Sequence, residues 1–216
     1  MIVRYEDGKW IYNIGVYFDI LRNLNDDLNK LINYNPKYNE NIEILFFSIV
    51  GNINRLFPIR RRRPNFNDGI LTLKEYFDFL RKDYNEMYST YKEEIRLIND
   101  MRDKFEHVPH IIKWHSYLGN DKLKQMEFIN DEYNLDIIEG NEEKIREKEE
   151  NHEYLKWEID TMMLTKIIVS LNKVFLKIQD KLRKYFAGNI DALSHPYIQK
   201  IIKLDLNKNI EYFESI

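Results

Sequence analysis

Apolar residues recur along most of this chain at steps of three and four, the period of a helix with one buried face. From Val16 to Tyr34 the recurring residues are Phe18, Leu21, Leu28, Leu31 and Ile32, and a second such run covers Ile42 to Phe57, stopped by Pro58. Thr72 followed by Glu75 has the form of a capping box and predicts a helix running to about Lys82, where it can pass directly into the next. Tyr84, Met87, Tyr88, Tyr91, Ile95, Ile98, Met101 and Phe105 then predict one helix that ends near His107, because Pro109 disfavours helical backbone at Val108. The longest run links Tyr154, Trp157, Thr161, Leu164, Ile168, Leu171, Phe175, Ile178, Leu182 and Tyr185, with Gly188 as its stop. A seam of that length needs a partner in the bundle or in a second subunit. Met162, Met163, Ile167 and Val174 widen it, which favours a central bundle helix. A short helix from Pro196 to Leu204 closes the pattern.

Two segments break the rhythm. Asp7-Gly8 sits between two short β-prone runs, so residues 1–14 carry a hairpin signal. Residues 110–140 mix aromatic and β-branched residues around Gly119-Asn120-Asp121, which predicts a β-hairpin insertion. The expected architecture is therefore a mainly α helical bundle with a small β-hairpin insertion, formed by residues 1–216 as a single domain.

Composition narrows the function. The chain is 44% hydrophobic and 32% charged, a balance that suits a packed globular protein, and its seven glycines and five prolines are too few for an all-β fold. It has no cysteine, which excludes disulfides and thiolate metal sites. The opening MIVRYEDGKW lacks the apolar core of a secretory signal, and no run approaches the roughly 18 apolar residues of a membrane span, so a cytoplasmic protein without a membrane partner is expected. The formal net charge of −3 means that any nucleic-acid contact must come from a local patch. The densest patch is Arg60, Arg61, Arg62 and Arg63, on a loop bracketed by Pro58 and Pro64. Arginines there can grip phosphates, and the flanking Phe57 and Phe66 can stack on bases.

Chemistry gathers at INDMRDKFEHVPH, residues 98–110. Breaking RNA without a metal ion needs a base for the 2′-hydroxyl proton, an acid for the leaving oxygen and a cation on the phosphate. Histidine suits the first two because it titrates near neutrality, and arginine suits the third because its planar fork stays charged. Arg102 and His107 are those residue types, and Asp103 lies one helical turn before His107, where it can fix the imidazole tautomer.

Arg102-Asp103-Lys104-Phe105-Glu106-His107 resembles the R-x4-6-H motif of HEPN domains, the "higher eukaryotes and prokaryotes nucleotide-binding" superfamily. The resemblance implies an α-helical bundle that acts as a homodimer and cleaves RNA without a cofactor, in toxin–antitoxin or anti-phage defence settings, with an antitoxin protein as a further partner. It implies Arg102 and His107 as the catalytic pair and Asp103 as the accompanying polar residue. The alternative it leaves open is a non-catalytic HEPN-like RNA-binding or dimerisation module. On an ideal helix five positions turn the chain by about 140°. Arg102 then borders the apolar stripe while His107 points away from it, so the two converge only if the last turn loosens at Pro109 or if a second subunit completes the site.

Other candidates are weaker. A second match, Arg146 to His152, lies in a charge run that reads as a solvated face. The spacing of His107, His110 and His115 matches no usual zinc set, so no metal site is expected. Gly-rich phosphate loops, G-x-S-x-G and H-E-x-x-H are all absent from the sequence.

Overall fold

The computed structural model describes residues 5–34, 42–56, 78–105, 110–117, 120–151, 156–187 and 194–216. At 5–13, 42–43, 78–81, 84, 102–105, 110–117, 120–124, 156–157 and 185–186 it describes the backbone alone. The helices are α1 (Tyr5–Ile32), α2 (Ile42–Leu56), α3 (Asp78–Thr90), α4 (Lys92–Phe105), α5 (Asp131–Glu139), α6 (Glu142–Glu150), α7 (Thr161–Phe186), α8 (Pro196–Lys203) and α9 (Leu206–Glu214). Strands β1 (His110–Tyr117), β2 (Asn120–Asn130) and β3 (Lys156–Asp160) form an antiparallel sheet in the order β1-β2-β3. The chain is thus mainly α with a small sheet. Among the described residues no helix is long and apolar enough to cross a membrane.

The bundle is organised around α7. Thr161, Leu164, Ile168, Leu171, Phe175, Ile178 and Leu182 are all buried, as are Ile167, Val169 and Val174, so the wide apolar stripe belongs to a central helix. It packs against α1, α3, α8, α9 and the sheet. From α1 come Ile14, Phe18, Leu21, Leu24, Leu28 and Leu31, at helical steps, and Phe18 meets Phe175 edge to face at 5.0 Å. Phe46 of α2 packs on Phe128 of β2 with ring centroids 4.5 Å apart. Met126 and Phe128, two residues apart on β2, thereby turn one face of the sheet to the helical core.

Three polar devices set the register of these elements. Asn25 of α1 and Asn172 of α7 exchange amide hydrogen bonds: Asn25 Nδ2 donates to Asn172 Oδ1 at 3.0 Å, and Asn172 Nδ2 donates to Asn25 Oδ1 at 2.7 Å. Both are buried. Asn25 Nδ2 also donates to the Leu21 carbonyl at 2.7 Å. Farther along α7, buried Gln179 donates to the carbonyls of Ile201 (2.6 Å) and Leu204 (2.8 Å), groups that lack helical partners at the end of α8. The third device joins α5 to α6, where Lys148 Nζ lies 2.8 Å from Asp136 Oδ2 and Asn141 Nδ2 lies 3.3 Å from Asp136 Oδ1.

Five expectations need correction, the simplest being the last helix: α9 (Leu206–Glu214) follows the one expected to close the pattern at Pro196–Leu204. Asp7-Gly8 lies inside α1, so residues 1–14 hold no hairpin in their described part. Once residues 14–32 are fixed by burial, extending a helix adds one hydrogen bond per residue, and Gly8 subtracts only about 1 kcal/mol. The Tyr84–His107 run is divided: α3 ends at Thr90, α4 begins at Lys92, and Tyr91 interrupts them. Thr90 Oγ1 donates back to the Glu86 carbonyl at 2.8 Å, a bond that bends helices, while Tyr91 N–H still reaches Met87. Helix α7 starts at Thr161, and Trp157 belongs to β3; the Asp160 carboxylate accepts the Met163 N–H and caps the helix there. The expected hairpin at 110–140 is present as β1 and β2, but it stops at Asn130, whose side chain caps α5, and β3 adds a third strand. The Thr72–Glu75 capping box, Gly188 and the turn at Gly119 lie outside the described residues.

Two outcomes follow from these contacts. Replacing Asn172 with Leu leaves the Asn25 amide buried without its partner and is expected to cost about 1–3 kcal/mol in urea unfolding. The Asn25→Leu, Asn172→Leu double variant is expected to recover part of that loss; equal, additive losses would show that the amides do not act as a pair.

The hydrogen bond from Lys148, helped by Asn141 and the Lys144 charge and opposed by burial, holds the Asp136 carboxyl below its ordinary value of 3.8. A carboxyl depressed by folding stabilises the fold above its unfolded pKa and loses that contribution as pH falls through the folded one. Amide exchange across residues 131–150, corrected for intrinsic rate, is therefore expected to accelerate on acidification below about pH 4. The Asp136→Asn variant is expected to lack that pH dependence.

Candidate functional site

Helix α4 carries the first half of the expected motif. Ile95, Ile98, Asn99 and Met101 are buried on one side of it, while Glu93, Arg96 and Asp100 are exposed on the other. At 100° per residue, position 102 falls between Ile95 and Ile98 around the helix. Its backbone lies in the middle of the inward side, a correction to the expectation that Arg102 borders the stripe. Asn99, one turn earlier on that side, donates its amide to the Ile95 carbonyl at 2.9 Å. Arg102 and Asp103 both fall in the last turn of α4, described in backbone only.

His107 lies outside the described residues, in the four-residue connection between Phe105 of α4 and His110 of β1. Arg60, Arg61, Arg62 and Arg63 also lie outside them, beyond the described part of α2. The rejected match at Arg146 falls on α6, a helix with no buried residue. No cluster of three or more His, Asp or Glu side chains among the described residues is placed to hold a metal ion.

A cavity of about 360 Å³ opens elsewhere, where the first turns of α7 meet α9 and the Tyr91 break. Val169 and Phe213 supply apolar wall, and the exposed Lys166 and Lys173 line it too. Two groups fix its polar side. Ser170 Oγ and Tyr91 Oη lie 3.2 Å apart, and Lys173 Nζ bonds Glu214 Oε1 at 2.6 Å. The volume falls within the range of small-ligand pockets.

No family model, curated protein or solved structure matches this chain.

Chemistry must therefore be argued from the residues themselves. The cavity and the motif lie toward opposite ends of α4, since Tyr91 immediately precedes that helix and Arg102 stands in its last turn. Ten residue steps lead from Lys92 to Arg102, about 15 Å along the axis. Sequence reading singled out none of the cavity's polar residues as functional. Tyr91 was assigned to an apolar stripe, and nothing local in the sequence signals that a helix break would pair its hydroxyl with Ser170.

Proposed function

We propose that this chain is a metal-independent endoribonuclease of the HEPN type. The observation that supports the reading is the position of Arg102 in the final turn of α4, on the side of the helix that buries Ile95 and Ile98. From there the chain passes directly into the connection that contains His107. The mainly helical fold supports the reading as well, because the HEPN resemblance implies a bundle.

In this mechanism His107 accepts the proton of a ribose 2′-hydroxyl, and Asp103 holds the imidazole in the tautomer that can do so. The 2′-oxygen forms its bond to phosphorus as the bond to the 5′-oxygen breaks, and an acid returns a proton to that leaving oxygen. Arg102 holds the phosphate oxygens in a bidentate grip as negative charge builds on them. A homodimer that brings two such motifs together supplies one histidine as base and the other as acid.

Incubation with RNA in EDTA tests the proposal. The wild-type chain is expected to cleave RNA and leave DNA of the same sequence intact, because DNA lacks the attacking hydroxyl. His107→Ala is expected to slow cleavage by about 10²–10⁴-fold. Arg102→Lys is expected to impair it too, since an ammonium cannot reproduce the planar fork. RNA that is bound but never cut by the wild-type chain overturns the enzyme in favour of a non-catalytic binding module.

A further inference from the structure

The exposed side of α7 has a composition that its burial does not require. The helix contains six basic residues, Lys166, Lys173, Lys177, Lys181, Arg183 and Lys184, and a single acid, Asp180. All seven are exposed. The lysines follow one another at steps of seven, four, four and three, which confines them to a strip about 80° wide and about 27 Å long. At its far end Arg183 donates to the Ile202 carbonyl at 3.1 Å, so the charge runs on toward exposed Lys203 of α8.

Neighbouring acids neutralise the strip only in part. Lys173 pairs with Glu214 at 2.6 Å, Lys177 with Asp83 at 2.7 Å, and Arg183 with Asp180 at 3.3 Å. These are solvent-exposed pairs of the kind that contribute little and that a phosphate can displace. Lys166 and Lys184 have no carboxylate partner among the described residues. Lys166, Ser170 and Lys173 lie on the strip and also line the 360 Å³ cavity. The cavity therefore opens directly on the row of cations.

We propose that this face of α7 is a binding track for single-stranded RNA, with the lysines following the phosphates and the cavity beside Ser170 taking one unstacked base. Cations in a row match a polyanion by charge. The cavity sets the single-strand preference, because its apolar wall and the Tyr91–Ser170 hydroxyl pair suit a base freed from pairing and stacking. A duplex keeps its bases out of reach. The choice of RNA over another polyanion rests on the ribonuclease reading; the track itself rests on α7.

Binding is measured by fluorescence anisotropy on a labelled 2′-O-methyl oligouridine of 20 nucleotides, which the proposed chemistry cannot cut, over a range of salt concentrations. Cleavage is scored separately on unmodified RNA. The Lys166→Gln, Lys181→Gln, Lys184→Gln variant spares the lysines paired with Glu214 and Asp83. It is expected to melt like wild type, to bind at least tenfold more weakly at 100 mM salt, and to show a log–log salt slope shallower by about 2, at about 0.7 per lost phosphate contact. Ser170→Phe, which fills the cavity, is expected to remove the preference for the single strand over an RNA duplex of equal length.

An unchanged slope in a correctly folded triple variant overturns the track, even if the wild type cleaves RNA. Binding of phosphatidylserine vesicles without binding of oligouridine also overturns it, in favour of a membrane surface. Lysine-dependent binding of oligouridine with no cleavage of RNA leaves the track standing and removes the ribonuclease.

Discussion

The reciprocal amide bond between Asn25 and Asn172 is the constraint around which this bundle is built. Apolar side chains alone would let α1 slide on α7 by a turn at modest cost, since one leucine replaces another. Two buried amides cannot slide. In one register each satisfies the other at 2.7 and 3.0 Å, and in any other both lose the bonds between them in an apolar interior, Asn25 keeping only its bond to the Leu21 carbonyl. Gln179 acts in the same way farther along α7, because only one placement of α8 presents the Ile201 and Leu204 carbonyls to it. The polar residues of the core thus select among packings that the hydrophobic effect leaves nearly equal.

That constraint has a consequence at the surface. A helix buried by α1, α3, α8, α9 and the sheet keeps only a narrow strip for solvent, and the strip must be polar. Folding fixes its polarity and leaves its sign free. Mixed Glu and Lys, as on α6, would solvate α7 equally well and would gain from i,i+4 pairing. Near-uniform lysine forgoes those pairs and sets like charges a turn apart. That sparing use of pairs within the helix is one ground for the proposed track.

Much of this was legible in the sequence. The α1, α2 and α7 stripes gave the helices and the central place of α7, because wide apolar faces at period 3.6 have few alternative arrangements. What misled were signals that fit two periods. Trp157 sits four before Thr161, as a helix would have it, and also two before Ile159, as a strand would; the capping carboxylate of Asp160 decides between them only once the strand partner on β2 is known. The α3–α4 break depends on a hydroxyl bonding back to its own helix, which periodicity cannot register. At the motif, the residue types were legible from chemistry, whereas the place of position 102 around α4 became clear only from which of its neighbours are buried. Burial of Asn99, a polar residue, hid how far the inward face of α4 extends. The lysine strip was equally open to counting, but it is the complement of the apolar stripe and is lost when only apolar positions are followed.

Net charge is a poor guide to what such a surface can hold. At physiological salt a charge is screened beyond roughly 8 Å, so a phosphate on α7 responds to the few groups within that distance and scarcely to the balance of −3 over the whole chain. Within that reach the strip presents Lys166 and Lys184, which have no carboxylate partner among the described residues, as well as Lys181 and three cations in displaceable surface pairs. Helix α4 links the two parts of the proposed function. It starts at Lys92, next to the cavity wall at Tyr91, and reaches Arg102 about 15 Å farther on. A rigid helix of that length would fix the separation between the proposed track and the residue proposed to grip the scissile phosphate. If α7 binds RNA as proposed, binding energy collected along it would position the proposed reacting bond, which is how contacts remote from the chemistry raise a rate.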